Sequence, residues 1–257
     1  MDVPSLVAEL RDQGHLLADA AARAELTDPV PSCPGWAVRD LLLHVGGVHR
    51  WAATVVREAR TEPISLDQPY DIVEHLPTDD ELPDWFRTGH ADLVLALEAA
   101  PADLGCWAFL PAPSPLAFWA RRQAHETAVH RVDVDGAAGP GTTVAVAAGF
   151  AEDGIDELLT CFVSGRSRRL RAKVERTLHV HATDVDAHWL VRIGPDRPQA
   201  ARTTGSTQAD DTVSGSASEL YLALWNRRRW DGLTVTGDAS AADLAQLWSS
   251  GVHVRWS

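Results

Sequence analysis

The 257-residue chain carries 36 acidic against 23 basic residues, a net charge of −13, and is 45% hydrophobic. That apolar content suffices for a packed core, and the length suits two domains or one large one. The negative charge argues against non-specific nucleic-acid binding and against docking on an anionic membrane, and no run of about 18 apolar residues is present to span a bilayer. Residues 1–13 have neither a basic stretch nor an apolar core, so no secretory signal is expected. Three cysteines, Cys33, Cys106 and Cys161, are odd in number and far apart in sequence. A disulfide framework is therefore not expected, and a reducing cytoplasm is the predicted location.

The first two thirds of the chain read as helices. An alanine- and leucine-rich pattern predicts a helix over 5–26, ended by the turn Thr27-Asp28-Pro29. A rigid loop, 31–35, precedes a second helix from about 36 to 60, whose apolar face is Leu41, Leu42, Val45 and Val48. A polar stretch over 61–78 leads to a third helix at 79–99. Pro101 and residues 110–115 break the pattern, and Ser114-Pro115 has the form of an N-cap followed by proline in the first turn. This fourth helix is expected to end near Asp135, before the glycine-rich loop 136–142. That loop lacks the spacing and the preceding strand of a dinucleotide fingerprint. A fifth helix fits 144–163.

The pattern changes after about residue 176. Residues 178–183 alternate as a strand, with 187–193 as its hairpin partner across Asp184-Val185-Asp186. A helix over 216–225, a strand over 233–236 and a helix over 239–248 complete the tail. The basic stretch 166–173 reads as a solvated face. The predicted fold is α+β, with a helical bundle over 1–165 and a small α/β domain over 172–257.

The chemistry concentrates on the second and fourth helices. His125 and His130 bracket Glu126 in a way that suggests a zincin motif, but the histidines are five residues apart. At about 100° per residue they point roughly 140° apart, which excludes that motif. Glu126 and His130 are four apart, roughly 40° around the axis and about 6 Å along it, so both reach one ion. Such a pair is also a common surface interaction. His44 lies on the apolar side of its helix with Leu41 and Val48 and is the third candidate ligand. His49 and His125 are rivals by chemistry, although His49 lies on another face. Three protein ligands leave a fourth position open, the arrangement of catalytic zinc sites. Ten tryptophans are present, and Trp36, Trp51, Trp107 and Trp119 fall near these polar residues. They could be ordinary core or the walls of a pocket. The cysteines are weak nucleophile candidates, and no G-x-S-x-G motif occurs.

The run 34–44 (PGWAVRDLLLH), with Val48-His49-Arg50-Trp51 and the later Arg122, His125-Glu126, His130-Arg131 and Asp133, resembles the signature of the mycothiol-dependent maleylpyruvate isomerase family within the DinB-like metal-dependent bundles. The tail from Val213-Ser214-Gly215 through Glu219-Leu220 and Leu224–Arg227 to Gly237-Asp238 is similar to the family's C-terminal α/β domain. The resemblance implies a DinB-like four-helix bundle followed by that domain. It implies zinc, or another divalent metal, held by His44, Glu126 and His130, with mycothiol, the small thiol of actinobacteria, as cosubstrate. It also implies that Arg227 contributes to the active site. One departure is Asn226, where the family usually has glycine, and Arg228 and Arg229 follow directly.

The function read from these features is a metal-dependent isomerase or thiol transferase acting on a small electrophilic substrate. The competing readings are a zinc hydrolase using water in the open position and a non-enzymatic, metal-stabilised binding module. Expected partners are the thiol and the substrate, with no nucleic acid and no membrane, and a monomer is the default state.

Overall fold

The computed structural model describes residues 1–137, 139 and 145–254. The chain divides into two compact units, Met1–Val144 and Ala145–Ser257.

In the first unit, α1 (Val3–Ala21) starts at Asp2, whose side chain accepts a hydrogen bond from Ser5 N at 2.9 Å. It ends about five residues before the expected position, because the Arg23 and Ala24 amides turn back onto the Ala20 and Ala21 carbonyls in tighter turns. The following loop is closed by a bridge between Pro29 and Ala37 and by Val30 N donating to Trp36 O at 2.9 Å. Gly35 takes φ +90° there, a conformation open to glycine at little cost. α2 (Val38–Arg57) follows, with the Asp40 carboxylate accepting from Ala37 N at 2.9 Å.

The polar stretch after α2 contains a short 3-10 turn, Pro69–Ile72, which lies against Gly47 of α2. A side chain at Gly47 would meet the Tyr70 amide nitrogen at 2.5 Å, so glycine sets this approach. α3 (Leu82–Ala99) begins three residues later than expected, since 78–81 form their own turn, with the Glu81 side chain accepting from Thr78 N at 2.9 Å. α4 (Pro115–Ala137) has the predicted start: Ser114 Oγ accepts from Ala117 N at 3.1 Å. The four helices form the N-terminal bundle, with α1 and α2 each packing on both α3 and α4. Leu10, Leu17, Leu41, Leu42, Phe86, Leu93 and Trp119 are fully buried in it. α4 is buried almost around its circumference, and its buried residues include Arg122, Glu126, His130, Arg131, Asp133 and Asp135.

The fifth helix departs from expectation. Val144, its expected start, lies outside the described residues, as does most of the loop 136–142. The element runs as α5 (Ala148–Asp156) and continues in wider π-type turns over Glu157–Val163. It belongs to the second unit, so the division falls at 144/145 and not between 165 and 172. The reason is packing: Trp225 Nε1 donates to Gly154 O at 3.1 Å, Trp189 Nε1 donates to Asp156 at 3.0 Å, and Phe150 meets Tyr221.

The second unit holds a five-stranded sheet of order β3-β2-β1-β4-β5. The strands are β1 (Arg176–Ala182), β2 (Ala187–Ile193), β3 (Gln199–Thr203), β4 (Asp211–Gly215) and β5 (Thr234–Gly237). β1 pairs antiparallel with β2 and parallel with β4. Leu178, Val180, Trp189, Val191 and Val213 share one buried face. α6 (Ala217–Leu224) packs on α5, and α7 (Ala241–Gly251) is tied to it by Trp248 Nε1 donating to Leu224 O at 2.8 Å. β3 and β4 are additional to the predicted elements. In the basic stretch, Arg166, Arg168, Arg169 and Lys173 are exposed, while Leu170 is fully buried and anchors it. Among the described residues, no helix is long and apolar enough to cross a membrane.

Candidate metal centre

α2 and α4 bring His44, Glu126 and His130 together, with all three buried. Glu126 Oε1 lies 3.4 Å from His44 Nε2 and 3.3 Å from His130 Nε2. The two imidazole rings stand edge to face with centroids 5.2 Å apart. The donor atoms all fall within 4.8 Å of one another. Metal–nitrogen and metal–oxygen distances of about 2.0–2.2 Å in a tetrahedral site put neighbouring donors about 3.4 Å apart. The two separations at Glu126 therefore suit a shared ion, and two imidazoles with one carboxylate are a donor set zinc accepts.

The surroundings fix this geometry. Asp133, one helical turn past His130 on α4, places Oδ2 2.8 Å from His130 Nδ1. Nδ1–H donates to the carboxylate, so Nε2 is the nitrogen turned toward Glu126 and His44. Asp133 is itself held from the loop before α2, by the Ser32 hydroxyl and by Cys33 Sγ at 3.6 Å. Glu126 Oε2 lies 3.4 Å from a guanidinium nitrogen of buried Arg122, which leaves Oε1 for the histidines. Trp36 lines the cluster, its ring centroid 5.0 Å from that of His44.

The electrostatics follow. Burial pushes the Glu126 carboxyl up, but hydrogen bonds from His130 and His44 and the Arg122 charge outweigh it and hold the group well below its usual range. Burial likewise opposes charge on His130, yet Asp133, Cys33 and Glu126 raise it well above an ordinary imidazole. His44 is lowered, chiefly by burial, with Glu126 opposing. A divalent ion among these groups would take the place of the His130 proton.

The rival ligands lie elsewhere. His49 is fully buried, pairs through Nε2 with Thr127 Oγ1 at 2.9 Å, and packs against Phe86 and His90. His125 is fully buried and outside the converging donor group. Of the tryptophans singled out, Trp36 packs against a donor side chain, that of His44. Trp51, Trp107 and Trp119 form an aromatic cluster with Phe109 and Phe118.

Arg227 lies in the second unit, just past α6. Its amide donates to Leu222 O at 2.7 Å and its guanidinium to Trp225 O at 2.9 Å. Asn226 before it takes φ +61°, the left-handed position that ends a helix and that glycine usually fills. Asparagine tolerates that conformation, and its side-chain amide donates to Val252 O at 2.7 Å. Arg228 stands 4.0 Å from Glu219, and Arg229 pairs with Asp231 at 2.8 Å.

A bundle carrying a buried His–Glu–His cluster, followed by a five-stranded α/β unit, defines a two-domain protein with its candidate centre in the helices. Residues 7–135 match the mycothiol maleylpyruvate isomerase N-terminal domain, and residues 149–244 match the family's C-terminal domain. The chain belongs to the mycothiol maleylpyruvate isomerase family. It is similar to the crystal structure of a mycothiol-dependent maleylpyruvate isomerase, at 13% identity and a TM-score of 0.66, over 94% of this chain and 96% of that one. A histidine-to-alanine mutant of such an isomerase is similar at 14% identity and a TM-score of 0.65, with the same coverage. At these identities the likeness establishes the fold. No curated protein matches the chain.

Proposed function

We propose that this chain is a metal-dependent enzyme that uses mycothiol on a small electrophilic substrate, isomerising a double bond as a maleylpyruvate isomerase does. The observation that carries the reading is the convergence of His44, Glu126 and His130 on one point, with Glu126 Oε1 within 3.4 Å of both imidazoles. These residues would hold zinc or a similar divalent ion. Bound there with two neutral imidazoles and one carboxylate, the ion keeps a net positive charge and lowers the pKa of a coordinating thiol below its free value of about 8.5.

Residues of the bundle act around that centre, and Arg227 of the second unit is the residue that the family resemblance adds. Asp133 keeps His130 in the tautomer that presents Nε2, and Arg122 keeps the Glu126 carboxylate ionised and oriented. Arg227 would bind a carboxylate of the thiol or substrate, which a guanidinium grips with two parallel hydrogen bonds. The thiolate adds to the substrate double bond, rotation follows about the resulting single bond, and elimination releases the thiol with the other geometry. Retention of the thiol would instead make the reaction an S-transfer. We place this chemistry in the cytoplasm, with no nucleic acid or membrane as partner.

The test combines zinc quantification with turnover of maleylpyruvate, with and without mycothiol. Stoichiometric zinc and thiol-dependent isomerisation are expected. Equal activity without any thiol would overturn the thiol-dependent reading, and a protein that takes up no metal would overturn the metal-dependent one.

A further inference from the structure

A second cluster of metal-ligating side chains lies in the C-terminal unit, on the β1–β2 hairpin. His181 of β1 stands directly opposite His188 of β2 in the strand register, and His179 lies two residues earlier on the same face. The three rings stack nearly parallel, with His181 and His188 centroids 4.1 Å apart. The turn between the strands ends at Asp186, which takes a left-handed φ of +49° and whose carboxylate reaches the ring nitrogens. Asp186 Oδ1 is 3.0 Å from His188 Nε2 and 3.5 Å from His181 Nε2. Donor atoms of these three residues lie within 4.8 Å of one another. His181 Nε2 is shielded from solvent and makes no hydrogen bond.

We propose that His181, His188 and Asp186 form a second divalent-metal site, for an ion of the zinc type that takes imidazole and carboxylate together. The His181 nitrogen has only a long contact with Asp186, 3.5 Å, and no hydrogen bond, so an ion there would satisfy a buried polar atom. His179 has the part of the orienting partner. Its Nε2 lies 3.0 Å from His188 Nδ1. With an ion on His188 Nε2, the remaining ring proton sits on Nδ1 and donates to His179, so the existing hydrogen bond is kept. Ligation requires the stacked rings to tilt apart. His181, with 28% of its side chain exposed, has room to do so, while His188 is 6% exposed and stays fixed. Asp186 is 88% exposed, which leaves the remaining coordination positions to water. The ion would cross-link both strands and the turn, a stabilising role separate from the bundle centre.

The experiment is zinc binding to the full-length chain by equilibrium dialysis, compared between wild type, His181→Gln and Asp186→Asn. Both substitutions fall at partly or fully exposed side chains, and asparagine tolerates a left-handed φ, so folding should persist and circular dichroism checks it. The His181 variant should bind one zinc fewer per chain, and the Asp186 variant should hold that zinc at least tenfold more weakly. In Glu126→Gln, added zinc should still shift the His181 and His188 ring nitrogens in nuclear magnetic resonance spectra. Unchanged stoichiometry in His181→Gln, or zinc that leaves those ring signals in place, would overturn the proposal. Neither readout depends on the bundle centre being active.

Discussion

Asp133 Oδ2 sits 2.8 Å from His130 Nδ1, one helical turn away on α4, and the same carboxylate receives the Ser32 and Cys33 side chains. One residue thereby sets the tautomer of a candidate ligand and pins the loop that leads into the helix carrying another. Partners of this kind typically change metal affinity by about ten- to a hundredfold when removed. Asp133→Asn should lower zinc affinity by that factor in a competitive chelator titration while leaving the far-ultraviolet spectrum unchanged. Ser32→Ala, which spares the His130 contact, should lower it much less. Equal losses in both would mean that Asp133 acts through the loop and not through the ring.

Glu126 is the hub of the cluster, facing both histidines through one oxygen and Arg122 through the other. Removing it takes a carboxylate from beside a buried guanidinium, and breaking a buried ion pair costs about 3–5 kcal/mol. Glu126→Ala should abolish zinc binding and also destabilise the metal-free protein by that order in urea unfolding. Glu126→Gln keeps the shape and a carbonyl acceptor, so its loss should be smaller. A Glu126→Ala protein as stable as wild type without metal would show that the carboxylate contributes only to the ion.

Much of the candidate site was legible in the sequence because helical spacing is rigid. Four residues separate Glu126 from His130, and His44 shares a face with Leu41 and Val48, so periodicity made each a candidate, and the family resemblance joined the three into one ligand set. Asp133 carried the same kind of signal, at three residues from His130, but only its burial distinguishes it from a surface carboxylate. Partner choice is the part that spacing does not encode. The helix at 148–156 was readable as a helix, yet its apolar face could close the bundle or join the second unit, and it packs on α6 and meets Trp189 of β2. β3 has the sequence Gln-Ala-Ala-Arg-Thr and β4 the single large apolar residue Val213. Both are strands because β2 and β1 pair with them, not because of an alternating pattern. The facing of His181 and His188 follows from the hairpin register, which the predicted turn contained but the isolated strands did not express.

His49 gives the bundle a pH dependence. The Thr127 hydroxyl donates to Gln123 O, so its oxygen accepts from His49 Nε2–H, and Nδ1 stays buried without a partner. Burial, aided by nearby His90, holds the His49 pKa well below the ordinary value, and burial lowers His90 too. Below about pH 6.5 the unfolded chain takes up protons that the folded chain refuses, so stability falls as pH falls through that window. Each such histidine contributes a slope approaching 1.4 kcal/mol per pH unit. His49→Gln, which preserves a donor to Thr127, should make the stability profile between pH 5 and 6.5 shallower by about that amount. A profile of unchanged slope would mean that His49 titrates alike in both states.

Arg227, Arg228 and Arg229 stand in sequence, but their local settings differ. Arg229 is 86% exposed and pairs with Asp231, and Arg228 approaches Glu219, so both guanidiniums already face a carboxylate of their own unit. The Arg227 side chain is half-buried and is held by the Trp225 carbonyl, while the left-handed Asn226 sets the direction in which the chain leaves α6. The carboxylate-binding role that the family resemblance implies is the one proposed for Arg227. Losing a charge-assisted, two-pronged hydrogen bond costs on the order of 1.5–3 kcal/mol, or about ten- to a hundredfold in kcat/KM. Arg227→Gln should lose that much in thiol-dependent turnover, and Arg227→Lys should recover only part of it, because an ammonium cannot form the fork. Arg228→Gln and Arg229→Gln should stay within a factor of about two, in keeping with the small value of exposed ion pairs. A larger loss at Arg228 than at Arg227 would move the role one residue along the chain.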